Sequence, residues 1–381
     1  MGHTRIQHNM RANRSGAIRL HFSGRTCGAW AVLAAASLLL PLSAVAQFSR
    51  SADEIEIKRL DFHPKGSFLR AVGVEIYGVL DQALIWHRPV IDTGLFQAAS
   101  PQWELGALSA SYVGIRGTEV LDLGWRAHFK LEHGFNADLG SPANDRAKFW
   151  DRGSSVGVSH LLWGRVDLGR IDQPAWQVAL MADPWGGGGS VATPGDDNFY
   201  VKPPGTGGVF RNRTDKAIAY TSPEALRDLS VQLQGSAKDE AGAVQEYGMA
   251  WRYQSGALVA AFGWQRWRGD TQAWPLAAVY TFAQWRGYAG ATFGRVDGVD
   301  YRNLFVGAAI PERSGPHPGE FRLGLNHHQT EGQAARWKLS AGRVHPLSKR
   351  TLLQAEAGVE AQSGTATKSS LGFGIRHAFA L

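Results

Sequence analysis

Apolar and polar residues alternate with a period of two from about residue 71 to the end of the chain. The alternation is clearest in the segment 351–361, where one face carries Leu353, Ala355, Ala357, Val359 and Ala361. The segments 370–379, 321–328 and 125–132 alternate in the same way. A period of two is typical of β-strands with one apolar and one polar face. The pattern therefore predicts an all-β domain over residues 71–381.

The alternation divides residues 71–379 into about 16 strands, and transmembrane strands need about 9–11 residues each. The strands of a soluble β-sandwich also alternate, but the polar faces here hold few apolar residues. In lipid, only a closed barrel gives every backbone N–H and C=O group of a sheet a hydrogen-bond partner. The pattern thus favours a transmembrane antiparallel β-barrel. Aromatic residues near predicted strand ends are expected to form interfacial girdles. They are Trp86, Trp103, Trp163, Trp267 and Trp285.

The first 46 residues predict a secretory signal peptide. They contain five arginines and no acidic residue, then an apolar run over 29–40, then Ala44-Val45-Ala46 as a cleavage pattern near Ala46. A membrane anchor is the alternative, but the run is shorter than the roughly 18 residues that a spanning helix needs. The single cysteine, Cys27, lies in this leader. The mature chain is therefore predicted to lack disulfides and thiolate chemistry.

Charge and composition bear on the class of protein and on its partners. The net charge is +7, but outside the leader 35 basic residues face 33 acidic ones. This near balance argues against a nucleic-acid partner. Charged residues make up only 19% of the chain, and its 46 glycines are typical of many short strands and turns. Residues 47–70 are polar and are predicted to form an N-terminal extension before the barrel.

Seven segments in order along residues 76–379 resemble the general diffusion porins of Gram-negative outer membranes, in their β-proteobacterial form. The segments are IYGVLD (76–81), VGIRGTE (113–119), KLEHGF (130–135), GRVDLGR (164–170), AYTSP (219–223), SKRT (348–351) and GFGIRHAF (372–379). Members of that family usually end at the final Phe, whereas Ala380 and Leu381 follow Phe379 here. This departure puts the form of the assembly signal in doubt.

The resemblance implies a 16-stranded barrel, usually a homotrimer, whose long third loop folds inward as a constriction. The connection 172–211, with its glycine run 186–189 and several prolines, is the expected loop. The implied location is the bacterial outer membrane, in contact with lipid and lipopolysaccharide, after insertion by the barrel-assembly machinery. The implied function is a water-filled channel for small polar solutes and ions. No cofactor or metal is expected.

The resemblance also implies a wall of basic residues at the constriction. Arg152 and Arg213 occupy two of the family's three arginine positions, and Tyr112 occupies the third. Arg116 lies on the same strand face as Tyr112 and is expected to replace part of the missing charge. The acidic loop motif of enterobacterial members is absent, and Asp183 is the preferred loop acid. Together such groups would create an electric field across the pore that selects ions by charge.

Alternation on the strand 125–132 predicts that Arg126, Lys130 and Glu132 face the lumen. They are expected to form ion pairs that hold the barrel's geometry.

Two other functional classes stay open. One is a substrate-specific pore, which an aromatic residue at position 112 would suit. The other is a structural or adhesive barrel whose lumen is closed by the 172–211 loop and the 47–70 extension. An enzyme is not expected. The segment 153–157 matches the hydrolase pattern G-x-S-x-G, but strand-like residues follow it, whereas a nucleophile elbow needs a helix there.

Overall fold

A computed structural model describes residues 73–88, 102–143, 148–187, 191–192, 212–223, 226, 228–236, 246–267, 270–312, 318–365 and 367–381. All of these belong to the unit Ala44–Leu381. The predicted leader 1–46, its cleavage site at Ala46 and the extension 47–70 lie outside the described residues. These three assignments remain predictions.

Eighteen strands form one sheet within the described residues. In chain order they are β1 (Val74–Arg88), β2 (Gln102–Gly106), β3 (Ser111–Val120), β4 (Trp125–Asn136), β5 (Ser141–Pro142), β6 (Gly153–His160), β7 (Gly164–Asp172), β8 (Arg213–Thr221), β9 (Leu229–Ser236), β10 (Tyr247–Ser255), β11 (Leu258–Arg266), β12 (Gln272–Thr281), β13 (Arg286–Val296), β14 (Val299–Pro311), β15 (Glu320–Thr330), β16 (Arg336–Pro346), β17 (Thr351–Gln362) and β18 (Lys368–Ala380).

The sheet closes on itself as an antiparallel barrel. Strand β18 pairs with β1, from Tyr77 opposite Ala380 to Arg88 opposite Ser369. Strands β2 and β3 both pair with β1 and form one barrel strand interrupted at 107–110. Strand β5 is a two-residue segment paired with the end of β4. The barrel therefore has 16 strands, which confirms the predicted fold class.

The two faces of the barrel wall differ in chemistry. One row of register partners across β14, β15, β16 and β17 is apolar and exposed: Val306, Leu325, Leu339 and Val359. Leu339, for example, is 62% exposed. Adjacent residues of a strand point to opposite faces, and the next row holds Gly307, Gly324, Ser340 and Gly358. The wall is thus apolar on its exposed face and small or polar on the other.

One helix, α1 (Pro174–Met181), follows β7 within the described residues. Proline in its first turn fits the helix, because the proline ring fixes a helical φ and its missing N–H has no partner there anyway. The helix packs against the non-apolar face of strands β9 to β13. The sequence analysis assigned residues 172–211 to a long loop, and the structure places this short helix at the start of that loop. An eight-residue helix shows too few turns of apolar periodicity to stand out from its glycine-rich surroundings.

The helix also corrects one aromatic assignment. Trp267 is only 7% exposed and packs with Trp176, Ala175, Ala179 and Ala273 in a cluster beneath α1. It therefore does not belong to a lipid-facing girdle. Three of the other predicted girdle residues are exposed: Trp103, Trp163 and Trp285. Among the described residues, no helix has the length and apolar character needed to cross a membrane.

Candidate functional site

A charged cluster on β1, β3 and β4 is centred on Glu132, which is 3% exposed. The Tyr77 hydroxyl donates to its Oε2 atom at 2.8 Å, and the Arg152 Nε donates to its Oε1 atom at 2.7 Å. The Lys130 ammonium lies 3.2 Å from Oε2. One carboxylate therefore accepts two hydrogen bonds and contacts two cations, and charge-assisted contacts are stronger than neutral hydrogen bonds.

Two tyrosines line this cluster beside the cations. The Arg152 guanidinium carbon lies 4.4 Å from the centroid of the Tyr112 ring, and the Arg116 guanidinium carbon lies 4.8 Å from that of Tyr77. The two rings meet edge to face at 6.2 Å. Arg116 also donates through Nε to Glu75 Oε2 at 2.6 Å. Three of the four predicted wall residues, Tyr112, Arg116 and Arg152, are thus brought together.

The strand register explains how this cluster forms. Tyr77 stands opposite Gly114, which in turn stands opposite Glu132. A Cβ atom at Gly114 would lie 2.6 Å from the Tyr77 ring. Because Gly114 has no side chain, the Tyr77 ring crosses the intervening strand and its hydroxyl reaches Glu132.

Arg213 begins strand β8 in a second charged group. Its Nε lies 2.8 Å from Asp172 Oδ1 at the end of β7. Nearby on β8, the Asp215 carboxylate accepts hydrogen bonds from Arg170 of β7 and from Lys148, the latter at 2.7 Å. Arg213 is therefore matched with a carboxylate of its neighbouring strand rather than with Glu132.

Asp183 lies in the turn after α1 and is nearly buried. Its carboxylate accepts the backbone N–H groups of Trp185 and Gly187, each at 2.9 Å. These bonds hold the turn 183–187 in shape. The predicted loop acid thus contributes to the local geometry of the loop.

Small wall residues position the segment that carries Asp183. A Cβ at Gly263 would lie 2.8 Å from the Ala175 Cα, and one at Gly290 would lie 2.5 Å from the Ala182 Cβ. Further along, Trp185 contacts Gly324 and Gly342 in the same way, and the Val191 carbonyl lies against Gly358. Residues 174–187 and 191–192 therefore lie along the non-apolar face of the wall from β11 to β17.

The sequence analysis missed an acidic group at the end of this segment. Glu356 accepts the Ala192 N–H at 3.2 Å, and the carboxylates of Asp81 and Asp183 act on it electrostatically. Asp81 accepts the Leu108 N–H at 2.8 Å and Gln354 Nε2 at 2.8 Å. Alternation places Glu356 on the same strand face as Gly358, and that was the signal available in the sequence.

The predicted lumen-facing residues share one face of β4. Lys130 and Glu132 form the contact described above, and Arg126 is exposed near the start of the strand. His128, between them in this row, contacts Asp167 of β7 at 2.8 Å. Polar, titratable side chains thus run the length of β4 on the face opposite Trp125 and Phe129.

Comparisons with known proteins agree with this geometry. A family model described as Gram-negative porin matches residues 29–365. An outer membrane porin protein of Bordetella pertussis is 26% identical over 326 residues, covering 72% of this chain and 83% of its own.

Two solved structures share the fold. The anion-selective porin from Comamonas acidovorans superposes with a TM-score of 0.67 at 23% identity, covering 80% of this chain and 99% of its own. OmpT of Vibrio cholerae in a trimer form superposes with a TM-score of 0.55 at 12% identity, covering 80% and 99%. The family model covers most of the chain, and the closed barrel of 16 strands agrees with it. The chain therefore belongs to the Gram-negative porin family.

Proposed function

We propose that the chain forms a water-filled channel through which small hydrophilic solutes and ions diffuse passively across the bacterial outer membrane. The observation that carries this proposal is the closed barrel whose exposed face is apolar while its other face holds the Glu132 cluster. Apolar side chains outside suit lipid, and ionised side chains inside need water.

The constriction in this proposal lies between the Glu132 cluster and the loop segment formed by residues 174–187 and 191–192. That segment would narrow the lumen, because its helix and the turn 183–187 pack on the face opposite the apolar belt. Arg116, Arg152, Tyr112 and, further along, Arg213 would form the basic wall. Asp183 would contribute negative charge from the loop, together with Asp81 and Glu356 on the wall. Separated charges of this kind, in a lumen with low-dielectric walls, would create a transverse field.

We further propose that the channel prefers anions. Within the Glu132 cluster, the three cations Arg116, Lys130 and Arg152 exceed the charge of their partners Glu75 and Glu132, and this proposal places the path of the ions beside that cluster. The structural relative from Comamonas acidovorans is described as anion-selective, which is consistent with this preference.

The proposal also includes three steps of biogenesis: export, membrane insertion and assembly. The leader would be removed near Ala46, and the barrel-assembly machinery would insert the mature chain among outer-membrane lipid and lipopolysaccharide. The mature chain would then form a homotrimer, and the trimer form of Vibrio cholerae OmpT supports this part of the proposal.

The test is single-channel conductance of the refolded protein in a planar bilayer under a salt gradient. We expect steady openings with anion preference, and a reversal potential that moves toward cation preference in the double variant Arg152→Gln/Arg213→Gln. Arg152→Gln alone is measured as well, because Arg213 is buried and its loss could impair folding. Arg302→Gln, at an exposed position on β14, is the control and should leave the reversal potential unchanged.

A barrel that inserts stably but carries no current would contradict the channel and favour a structural or adhesive role. A substrate-specific pore is the second candidate, and the observation that favours it is the pair of rings, Tyr77 and Tyr112, beside Arg116 and Arg152. Such a surface would suit sugars or aromatic solutes. Liposome swelling with solutes of equal size should then depend on solute chemistry, whereas a general channel should treat them alike.

A further inference from the structure

Three side chains form a polar row at the barrel end where β4 and β7 begin. Short connections, residues 121–124 and 161–163, join the strands at this end. Arg126 of β4 stands opposite Ser159 of β6, and Ser159 stands opposite Arg165 of β7. Two arginines therefore flank a small hydroxyl residue on three neighbouring strands. We call these three residues the mouth row.

The mouth row faces the lumen. Val158 and Val166, which stand next to Ser159 and Arg165 in their strands, are exposed on the apolar face. Adjacent residues of a strand point to opposite faces, so Ser159 and Arg165 point inward. Arg126 lies in the same row of register partners and shares their face. Both arginines are exposed, so a solute in the lumen can reach them.

The two arginines of the mouth row differ in how their charge is balanced. Arg165 donates to Asp167 of its own strand through Nε at 2.5 Å and through Nη2 at 2.9 Å. The Asp167 carboxylate also lies 2.8 Å from His128 Nε2, a contact that crosses β6 at Gly157. Within the part of the chain that the structure describes, Arg126 has neither a hydrogen bond nor an ion pair. Two guanidinium groups and one carboxylate therefore leave an excess of positive charge here, even when His128 is neutral.

The mouth row offers two guanidinium groups with a gap between them. Arg165 contacts Asp167 through Nε and Nη2, so its Nη1 remains available, and Arg126 offers a complete fork. Neighbouring strands lie about 4.8 Å apart, so the backbones of the two arginines are about 10 Å apart across β6. A planar guanidinium matches a planar carboxylate. Two guanidinium groups at this spacing suit two carboxylates joined by a short spacer better than one compact anion.

We propose that the mouth row binds small dicarboxylate solutes, with one carboxylate on Arg126 and the other on Arg165. The Ser159 hydroxyl donates to the bound solute between them. This inference deepens the proposed function, because it names a class of solute and a binding site outside the Glu132 cluster. It rests on that function only in that a solute reaches the row through the lumen.

Isothermal titration calorimetry of the refolded protein in detergent tests the mouth row, with succinate, acetate and inorganic phosphate as probes at neutral pH and constant ionic strength. We expect succinate to bind at least about tenfold more tightly than acetate or phosphate. In Arg126→Gln, succinate should bind about tenfold more weakly, because one charge-assisted contact is lost. Succinate should then bind no more tightly than acetate does.

The matched control is Arg302→Gln, which removes an exposed cation from the outer face of β14 and should leave succinate binding unchanged. Because Arg126 is exposed and has no partner among the described residues, its replacement leaves no buried group unpaired. Circular dichroism and heat-dependent gel migration check that each variant is folded.

Equal binding of succinate and acetate by the unaltered protein, or an unchanged succinate affinity in Arg126→Gln, would overturn the site. Phosphate bound as tightly as succinate would refute the dicarboxylate class. Conductance in chloride, measured on the same preparations, separates this inference from the proposed function. A conducting barrel without succinate preference defeats the mouth row alone, whereas a non-conducting barrel that binds succinate defeats the channel alone.

Discussion

Among single residues, Glu132 determines the balance of charge on the inner wall. Its nearly buried carboxylate accepts hydrogen bonds from Tyr77 and Arg152 and forms an ion pair with Lys130. The cations around it therefore act on a solute only to the extent that this carboxylate leaves them uncompensated. A neutral residue of the same shape at this position would expose their full charge.

We expect Glu132→Gln to increase anion preference, seen as a shift of the reversal potential under a salt gradient. Because the change also leaves buried donors without a charged acceptor, it should destabilise the barrel by about 1–3 kcal/mol. Glu331→Gln, at an exposed position after β15, is the matched control and should alter neither quantity. An unchanged reversal potential in Glu132→Gln would mean that ions do not pass near this cluster.

Alternation was sufficient to place Lys130 and Glu132 on one face of a strand, because the side-chain period of a strand is two. It could not pair Arg152 with Glu132, since Arg152 precedes β6 and has no strand register of its own. Nor could it indicate that the Asp183 carboxylate caps the turn 183–187, because that contact depends on a loop conformation.

At the scale of elements, helix α1 depends on small residues in the wall beneath it. Gly263 and Gly290 leave the space that Ala175 and Ala182 occupy. Close packing of this kind tolerates little added volume. The sequence contained these glycines, but a glycine in a strand does not indicate which segment will approach it.

Gly263→Ala should lift α1 from the wall, because the added Cβ would lie 2.8 Å from the Ala175 backbone. We expect a loss of about 1–3 kcal/mol in the free energy of unfolding, as for other overpacked sites, and noisier single-channel openings. The same change at Gly235 meets its nearest atom, on Tyr247, at 3.8 Å and serves as the control. Equal denaturation midpoints for the two variants would contradict this account of the helix.

For the whole molecule, the apolar belt and the closure of the sheet are complementary. The belt of Val306, Leu325, Leu339 and Val359 lies on the exposed face of the barrel, where lipid would cover it. The closed sheet leaves no unpaired strand edge in that lipid. The strand count and the closed architecture followed from the sequence, since both depend only on the alternation and on strand length. The leader and the extension 47–70 lie outside the described residues and stay predictions.

Leu339→Lys places a charge in the middle of this belt and should cost about 2–4 kcal/mol of stability in a bilayer, against about 0–1 kcal/mol near an interface. Leu347→Lys, in the exposed turn after β16, is the interfacial counterpart. Urea titration of both variants refolded into vesicles measures the difference. Similar midpoints would show that Leu339 does not face the hydrocarbon.

The pairing of β1 with β18 also governs the order in which the fold can be completed. These partners stand at opposite ends of the barrel sequence, and a further contact runs from the Leu381 N–H to the Ile76 carbonyl at 2.8 Å. Contacts so distant in sequence form slowly, because a long loop must close before they contribute any stability. Until β18 pairs with β1, a nascent chain would therefore carry an open sheet with two edges of unpaired backbone N–H and C=O groups. Its safe passage to the membrane depends on those edges being shielded along the way.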